Sequence, residues 1–222
     1  MYIIRIMIIL PKLINFALVT VNQLQIDESH GLSHALKVLQ YSHDILQSEL
    51  TSNPYLDTQR EIIYTSALMH DLCDKKYMNE YEGLSTIRKF LTTETPLLSE
   101  EISIVEKIIS TMSYSKVKKV GFPYLGKYEM AYHIVREADL LSAYDVDRSI
   151  IYNMNNVNPN FDISLSNALD LFENRVLRHN HDNLFITNYS KEMSQILESD
   201  ARKQIELWNK LILPIEHDRK PI

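Results

Sequence analysis

Only four glycines stand in 222 residues. Glycine supplies left-handed backbone at tight turns and lets the main chain approach a phosphate group closely. A chain this poor in glycine gives little support to Gly-rich phosphate loops or to a sheet fold punctuated by glycine turns. Long helices are favoured instead. The length suits one domain, or one domain with a modest appendage. Hydrophobic residues make up 45% and charged ones 23%, which excludes disordered and fibrous classes. The single cysteine, Cys73, rules out an intrachain disulfide and a Cys-based zinc site. A net charge of −6 and a pI near 5.8 argue against non-specific binding to a phosphate backbone, which needs a basic surface. Eight histidines are the resource left for metal or acid–base chemistry.

Helical periodicity dominates the chain. Residues 1–10, MYIIRIMIIL, form an apolar run about half as long as the ~20 residues a membrane span needs. No small-x-small cleavage site follows it, as a signal peptide would require. We read residues 1–10 as an extension docked on the domain, residues 11–24 as a first helix, and residues 25–222 as the domain with its C-terminal helices. The expected location is the cytoplasm, with no membrane association. Leu32, Leu36, Leu39, Leu46 and Leu50 recur at three-to-four spacing and predict a helix over 31–50. Asp57 is placed to cap a helix reaching Leu72, and Ser99 to cap one whose buried stripe is Ile102, Val105, Ile109 and Met112. A short helix is expected over 83–91, a Lys-rich loop over 113–126, and a long helix over 128–155. Two more helices, 164–178 and 190–213, close the chain. No strand pattern, repeat or linker interrupts this series. The fold class is all-α, a single helical bundle.

Four His-Asp dipeptides occur: His43-Asp44, His70-Asp71, His181-Asp182 and His217-Asp218. A dipeptide alone carries almost no information, so context must choose among them. His217-Asp218 lies in a polar tail, His181-Asp182 in an Asn/His/Asp loop, and His43-Asp44 on the polar side of a helix. His70-Asp71 ends an apolar helical run, SALMHDLCD, where a charged carboxylate is costly unless paired or metal-bound. The same holds for Asp139 in HIVREADLLSAYD, among Val135, Ala138, Leu140 and Leu141. His30 and His34 in DESHGLSHALKVL stand one helical turn apart at the start of an apolar helix. Neutral imidazole and carboxylate together suit a divalent cation such as Mn, Fe, Co, Ni, Zn or Mg. A single His on an apolar helix face is more often a hydrogen-bonded structural residue.

These pieces in the order H…HD…D resemble the HD superfamily of metal-dependent phosphohydrolases. DESHGLSHALKVL resembles the family's first motif, ALMHDLCDKKY a variant HD motif, IISTMSYSK the loop after the fourth helix, and READLLSAYDVDRSIIY the last-Asp motif. LFENRVLRH and ARKQIELWNKLI resemble the C-terminal helices of a stand-alone branch. The resemblance implies an HD-domain bundle in which His34, His70, Asp71 and Asp139 hold one divalent ion. Binuclear relatives carry further histidines between the HD pair and the last Asp. Here that interval holds only His133, which favours one metal. Tyr144, Asp145, Asp147 and Arg148 follow where many relatives have small residues. The resemblance gives Asp74 a proton-transfer role. His30 is a candidate to bind phosphate or protonate the leaving group, and Lys75 and Lys76 are candidate phosphate contacts.

Two functions are weighed. The first is metal-dependent hydrolysis of a phosphoester in a small phosphorylated molecule, with a nucleotide the favoured case. The second is a non-catalytic HD module, sensing a ligand or binding a partner, with a retained metal site. The complete ligand set and Asp74 favour the enzyme. The acidic pI disfavours a nucleic-acid polymer as partner, and homodimerisation is left open.

Overall fold

The computed structural model describes residues 2–217. Among them there is no strand, and the fold is all-α. The helices are α1 (Tyr2–Leu24), α2 (Leu32–Glu49), α3 (Arg60–Met69), α4 (Glu80–Glu94), α5 (Ser99–Thr111), α6 (Tyr114–Val120), α7 (Glu129–Ser142), α8 (Val146–Asn156), α9 (Phe161–Asn174) and α10 (Asn188–His217). The chain divides into two compact units, with the boundary between Ser142 and Ala143.

The first unit is organised around α3. Every residue from Glu61 to Met69 is buried, and the helix packs against α1, α2, α5 and α7. A helix without a polar face has to be covered on all sides, and the run EIIYTSALM meets that requirement. Helix α2 turns its buried stripe, His34, Val38, Tyr41 and Ile45, toward α3 and α7. These spacings of three and four residues keep one face inward. Three helices thus meet at the end of α3, where the chemistry is concentrated.

The N-terminal helix differs from its expectation. It is one continuous helix with Pro11 inside it, rather than an extension followed by a helix from residue 11. Pro11 leaves the Met7 carbonyl without its helical partner, and both residues lie on the exposed face, where water can satisfy that carbonyl. The opposite face buries Ile9, Leu13, Ala17 and Val21 at strict four-residue spacing. Arg5 bridges the buried Glu61 at 3.1 Å, Lys12 donates to the Glu94 carbonyl at 2.9 Å, and Phe16 stacks on Phe90 at 4.0 Å. Arg5–Leu24 is long and apolar enough to cross a membrane by length and composition, a test that the core helix of a soluble protein also passes.

Other boundaries shift for local reasons. Asp57 does not cap α3; residues Pro54–Gln59 form a 3-10 turn, and the Asp57 carboxylate accepts from the Arg60 guanidinium at 2.6 Å. Helix α3 stops at Met69, short of the expected Leu72. Helix α4 begins at Glu80 because the Asn79 side chain accepts from the Tyr81 and Glu82 amides. Ser99 is the first residue of α5 rather than its cap; Glu101 instead accepts from the Leu98 amide at 2.7 Å. The expected loop over 113–126 contains helix α6, closed by Gly121 at φ +76°, a left-handed conformation that favours glycine. The single helix expected over 128–155 is two helices. Asp145 accepts from the Arg148 amide at 2.9 Å and starts α8 afresh.

In the second unit α8 packs on α9 and on α10. Trp208 donates to Asp147 at 3.0 Å and packs its ring against Phe161. Tyr144 is buried with its ring near that of His179. The polar residues that follow the last-Asp motif thus have structural work within this unit.

Candidate metal centre

Four side chains from three segments converge. His34 opens α2 as the first residue of its buried stripe. His70 is the C-terminal cap of α3, with Asp71 directly after it. Asp139 lies on α7, one turn before that helix ends at Ser142. The two imidazole Nε2 atoms are 3.0 Å apart. Asp71 Oδ2 lies 3.3 Å from His34 Nε2 and 3.2 Å from His70 Nε2. Asp139 Oδ1 lies 3.4 Å and 3.7 Å from the same two atoms. The tightest group is His34, His70 and Asp71, which could hold a metal ion. Asp139 reaches it through both imidazoles. At metal–ligand bonds of about 2.1 Å, neighbouring ligand atoms stand about 3.0 Å apart in an octahedron and about 3.4 Å in a tetrahedron. The observed spacings fall in or near that range.

The hydrogen bonds behind the imidazoles fix their tautomers. His70 Nδ1 faces the Ala67 carbonyl at 2.8 Å. A carbonyl only accepts, so Nδ1 carries the proton and Nε2 is left to face the cluster. Ser142 Oγ donates its one hydrogen to the Asp139 carbonyl at 2.7 Å. Toward His34 Nδ1, at 3.4 Å, it can therefore only accept, and His34 also holds its proton on Nδ1. With both rings neutral, two nitrogen lone pairs and two carboxylates converge with no fixed cation among them. That arrangement is repulsive unless a proton or a metal ion sits at the centre. Asp71 Oδ2 is buried without a hydrogen-bond partner, an orphaned carboxylate oxygen of the kind a metal ion could engage.

The titration behaviour has the same origin. Burial works against a charged His70, yet the carboxylates of Asp71 and Asp139 outweigh it and push its pKa up to about 9. Burial would raise the Asp71 carboxyl, but the adjacent His70 and His34 imidazoles hold it well below the ordinary carboxylate range. Asp139 is lowered to about 2, burial being overcome by its hydrogen bond to His34 and by the charge of His70.

The remaining candidates lie around this centre in different relations to it. His30 precedes α2, so it does not share a helical turn with His34 as the sequence spacing suggests; the two rings are still only 6.2 Å apart. Asp74 does not share a helical face with His70, because α3 has ended. It sits in the following turn, where its Oδ1 accepts from the Lys76 amide at 2.9 Å. Lys76 Nζ contacts His30 Nε2 at 3.1 Å, and both Lys75 and Lys76 are exposed. Cys73 is buried beside Gly83, and burial pushes its thiol up to about 12, a packing residue rather than a nucleophile. His133 stands apart from the cluster, against Phe122 and Arg136. Burial, with the Arg136 charge, lowers its pKa to about 4.

His43 is exposed and bonded to the Tyr64 hydroxyl; His181 is exposed, and Asp182 pairs with Arg178 at 3.6 Å. Asp218 lies outside the described residues. Sequence reasoning missed Ser142, which sets the tautomer of His34, and the side chains of Asp27, Ser29 and Tyr77 around His30. Ser142 had one available signal, its position one turn after Asp139 on the same buried face. No family model, curated protein or solved structure matches the chain.

Proposed function

We propose that this chain is an HD-type metal-dependent phosphohydrolase, acting on a phosphoester in a small phosphorylated molecule, with a nucleotide the favoured substrate. The observation that carries the reading is the cation deficit at the junction of α2, α3 and α7. Two imidazoles with Nδ1 protons committed elsewhere and two carboxylates converge on one point. His34, His70, Asp71 and Asp139 would hold one divalent ion. The donor set, two nitrogens and two carboxylate oxygens, suits Mn, Fe, Co, Ni, Zn or Mg without choosing among them.

When bound, such an ion supplies charge neutralisation on a phosphoryl oxygen and a lowered pKa for water beside it. The protein's own groups do the rest. Ser142 and the Ala67 carbonyl orient the imidazoles. Asp74, half-buried in the turn after His70, is the carboxylate placed to move a proton. Lys76 is the cation near the cluster, next to His30, and is the phosphate contact; Lys75, exposed beside it, is a second contact of less weight. The buried, unpaired thiol of Cys73 agrees with a reducing cytoplasmic location.

Metal analysis of the purified protein, followed by turnover assays with nucleotides and other phosphomonoesters under separate Mn, Mg, Co and Ni, tests this. One ion per chain with metal-dependent phosphate release is expected. Metal bound without turnover across the panel would replace the enzyme with a ligand-sensing module, and no metal at all would end the reading.

A further inference from the structure

Charge is spread unevenly along this chain. Five lysines and no acidic residue lie between Glu106 and Glu129, so residues 107–128 carry +5 in a chain whose net charge is −6. The segment holds α6 and the loop that joins it to α7. Gly121, at φ +76°, closes α6. Phe122 then anchors the chain: its ring meets that of His133 at 4.8 Å, and the Arg136 guanidinium lies over it at 4.8 Å. At the other end of the loop the Lys127 carbonyl accepts from Gln59 Nε2 at 2.9 Å, and Tyr128 is buried. Beside and between these anchors, Val120 is 73% and Tyr124 88% exposed. Lys118 and Lys119, next to Val120, are exposed as well. Little of the aliphatic or the aromatic side chain is buried by the fold, and both stand among lysines.

We infer that residues 118–124 form a docking loop for an anionic lipid surface, with Lys118 and Lys119 at the headgroups and Val120 and Tyr124 at the boundary with the acyl chains. The charge is complementary, because anionic lipids give a bilayer surface a negative potential that attracts lysines near it. Screening confines that attraction to about 8–10 Å, so the charge of the loop counts and the net charge of the chain does not. The attraction acts through the field and needs no free hydrogen, so the contact of Lys118 with the Tyr114 ring leaves it in place. Lys116 and Lys127 add less, being paired with Glu80 and Glu100. A nucleic acid would stack on Tyr124 but offers nothing to Val120, whereas the lipid interface takes both. The anchored backbone presents these side chains without the cost of ordering a loop on contact. This departs from the expectation of no membrane association, which rested on the want of a spanning run; surface contact needs only charge and a few apolar side chains. It is independent of the phosphohydrolase reading.

The test is co-sedimentation of the full chain with phosphatidylcholine vesicles, with and without phosphatidylserine, at low and high salt. The wild type should bind only the vesicles that contain phosphatidylserine, and high salt should release it. Lys118→Glu combined with Lys119→Glu should weaken binding about 20-fold or more. Val120→Ser and Tyr124→Ser keep the net charge and should each weaken it about threefold. Lys89→Glu combined with Lys191→Glu makes the same change of net charge at exposed lysines of α4 and α10, and should leave binding near that of the wild type. Thermal unfolding midpoints show which variants are folded, and the two neutral variants decide if the double charge reversal is not. A wild type that ignores phosphatidylserine, or loop variants that bind as it does, would overturn the inference. So would an equal loss on reversing Lys89 and Lys191, since net charge alone would then be the cause. A phosphodiester oligonucleotide that binds more tightly and displaces the vesicles would make the loop a nucleic-acid contact and overturn the lipid assignment.

Discussion

Helix α7 carries two buried charged groups three residues apart, and they differ in how their charge is balanced. Arg136 and Glu137 are almost fully buried, 2% and 0% exposed as side chains, and neutralise each other at 3.0 Å; the guanidinium also lies over the Phe122 ring at 4.8 Å. Cation and anion come from the same chain, and the pair needs nothing from outside. At Asp139 two carboxylates meet two imidazoles whose Nδ1 protons are tied to oxygen atoms. That group could hold a metal ion, and no printed ion pair joins its carboxylates to a lysine or arginine among the described residues. Burial alone therefore does not distinguish a structural charge from a functional one; the balance of charge does.

The contrast is broken most strongly at the self-neutral pair. Glu137→Ala removes the carboxylate opposite a buried guanidinium and should cost about 3–5 kcal/mol of stability, read by chemical denaturation. At the deficient group the expected loss is in metal rather than fold. Asp71→Ala should lower metal affinity at least ~100-fold with near-normal helicity. Asp182→Ala, in a His-Asp dipeptide of the same composition, should change neither, as equilibrium dialysis would show. Ser142→Ala keeps all four ligands but frees the His34 ring, and should weaken metal binding by about tenfold.

A smaller effect separates the two regions by pH. His70 is raised by the carboxylates facing it, to about 9 from an ordinary 6.5. Its folded state binds the proton more tightly, so this contribution to the stability of the metal-free protein is complete below pH 6.5. It is lost as pH rises to about 9. His133 is lowered to about 4 by burial and by Arg136. Its contribution is complete above pH 6.5 and is lost as pH falls toward 4. Thermal melts of the metal-free protein should therefore decline by a few degrees on both sides, and saturating metal should remove only the alkaline decline.

The four converging residues were legible because each is a polar group where the apolar period demands a hydrophobic one. Their partners were not: the Ala67 carbonyl has no side-chain signature, and a serine such as Ser142 is common on helices. The α7–α8 break was hidden because the apolar pattern runs on in phase through Ala143 and Tyr144, with neither Gly nor Pro to mark it; Asp145 as a cap was the available clue. The end of α3 at Met69 was equally silent, and it leaves Asp74 in the turn that follows rather than on the helix. Pro11 misled in the opposite sense, since a proline on an exposed helix face interrupts a hydrogen bond without ending the helix.

The most direct measurement is calorimetric titration of Mn2+ into the metal-free protein at pH 7.5, in two buffers of different ionisation heat. The cation deficit predicts one ion per chain, with about one proton released as the metal displaces it from the paired imidazoles, and both signals lost in Asp71→Ala. Binding without proton release, or binding that survives Asp71→Ala undiminished, would place the metal elsewhere and contradict the account.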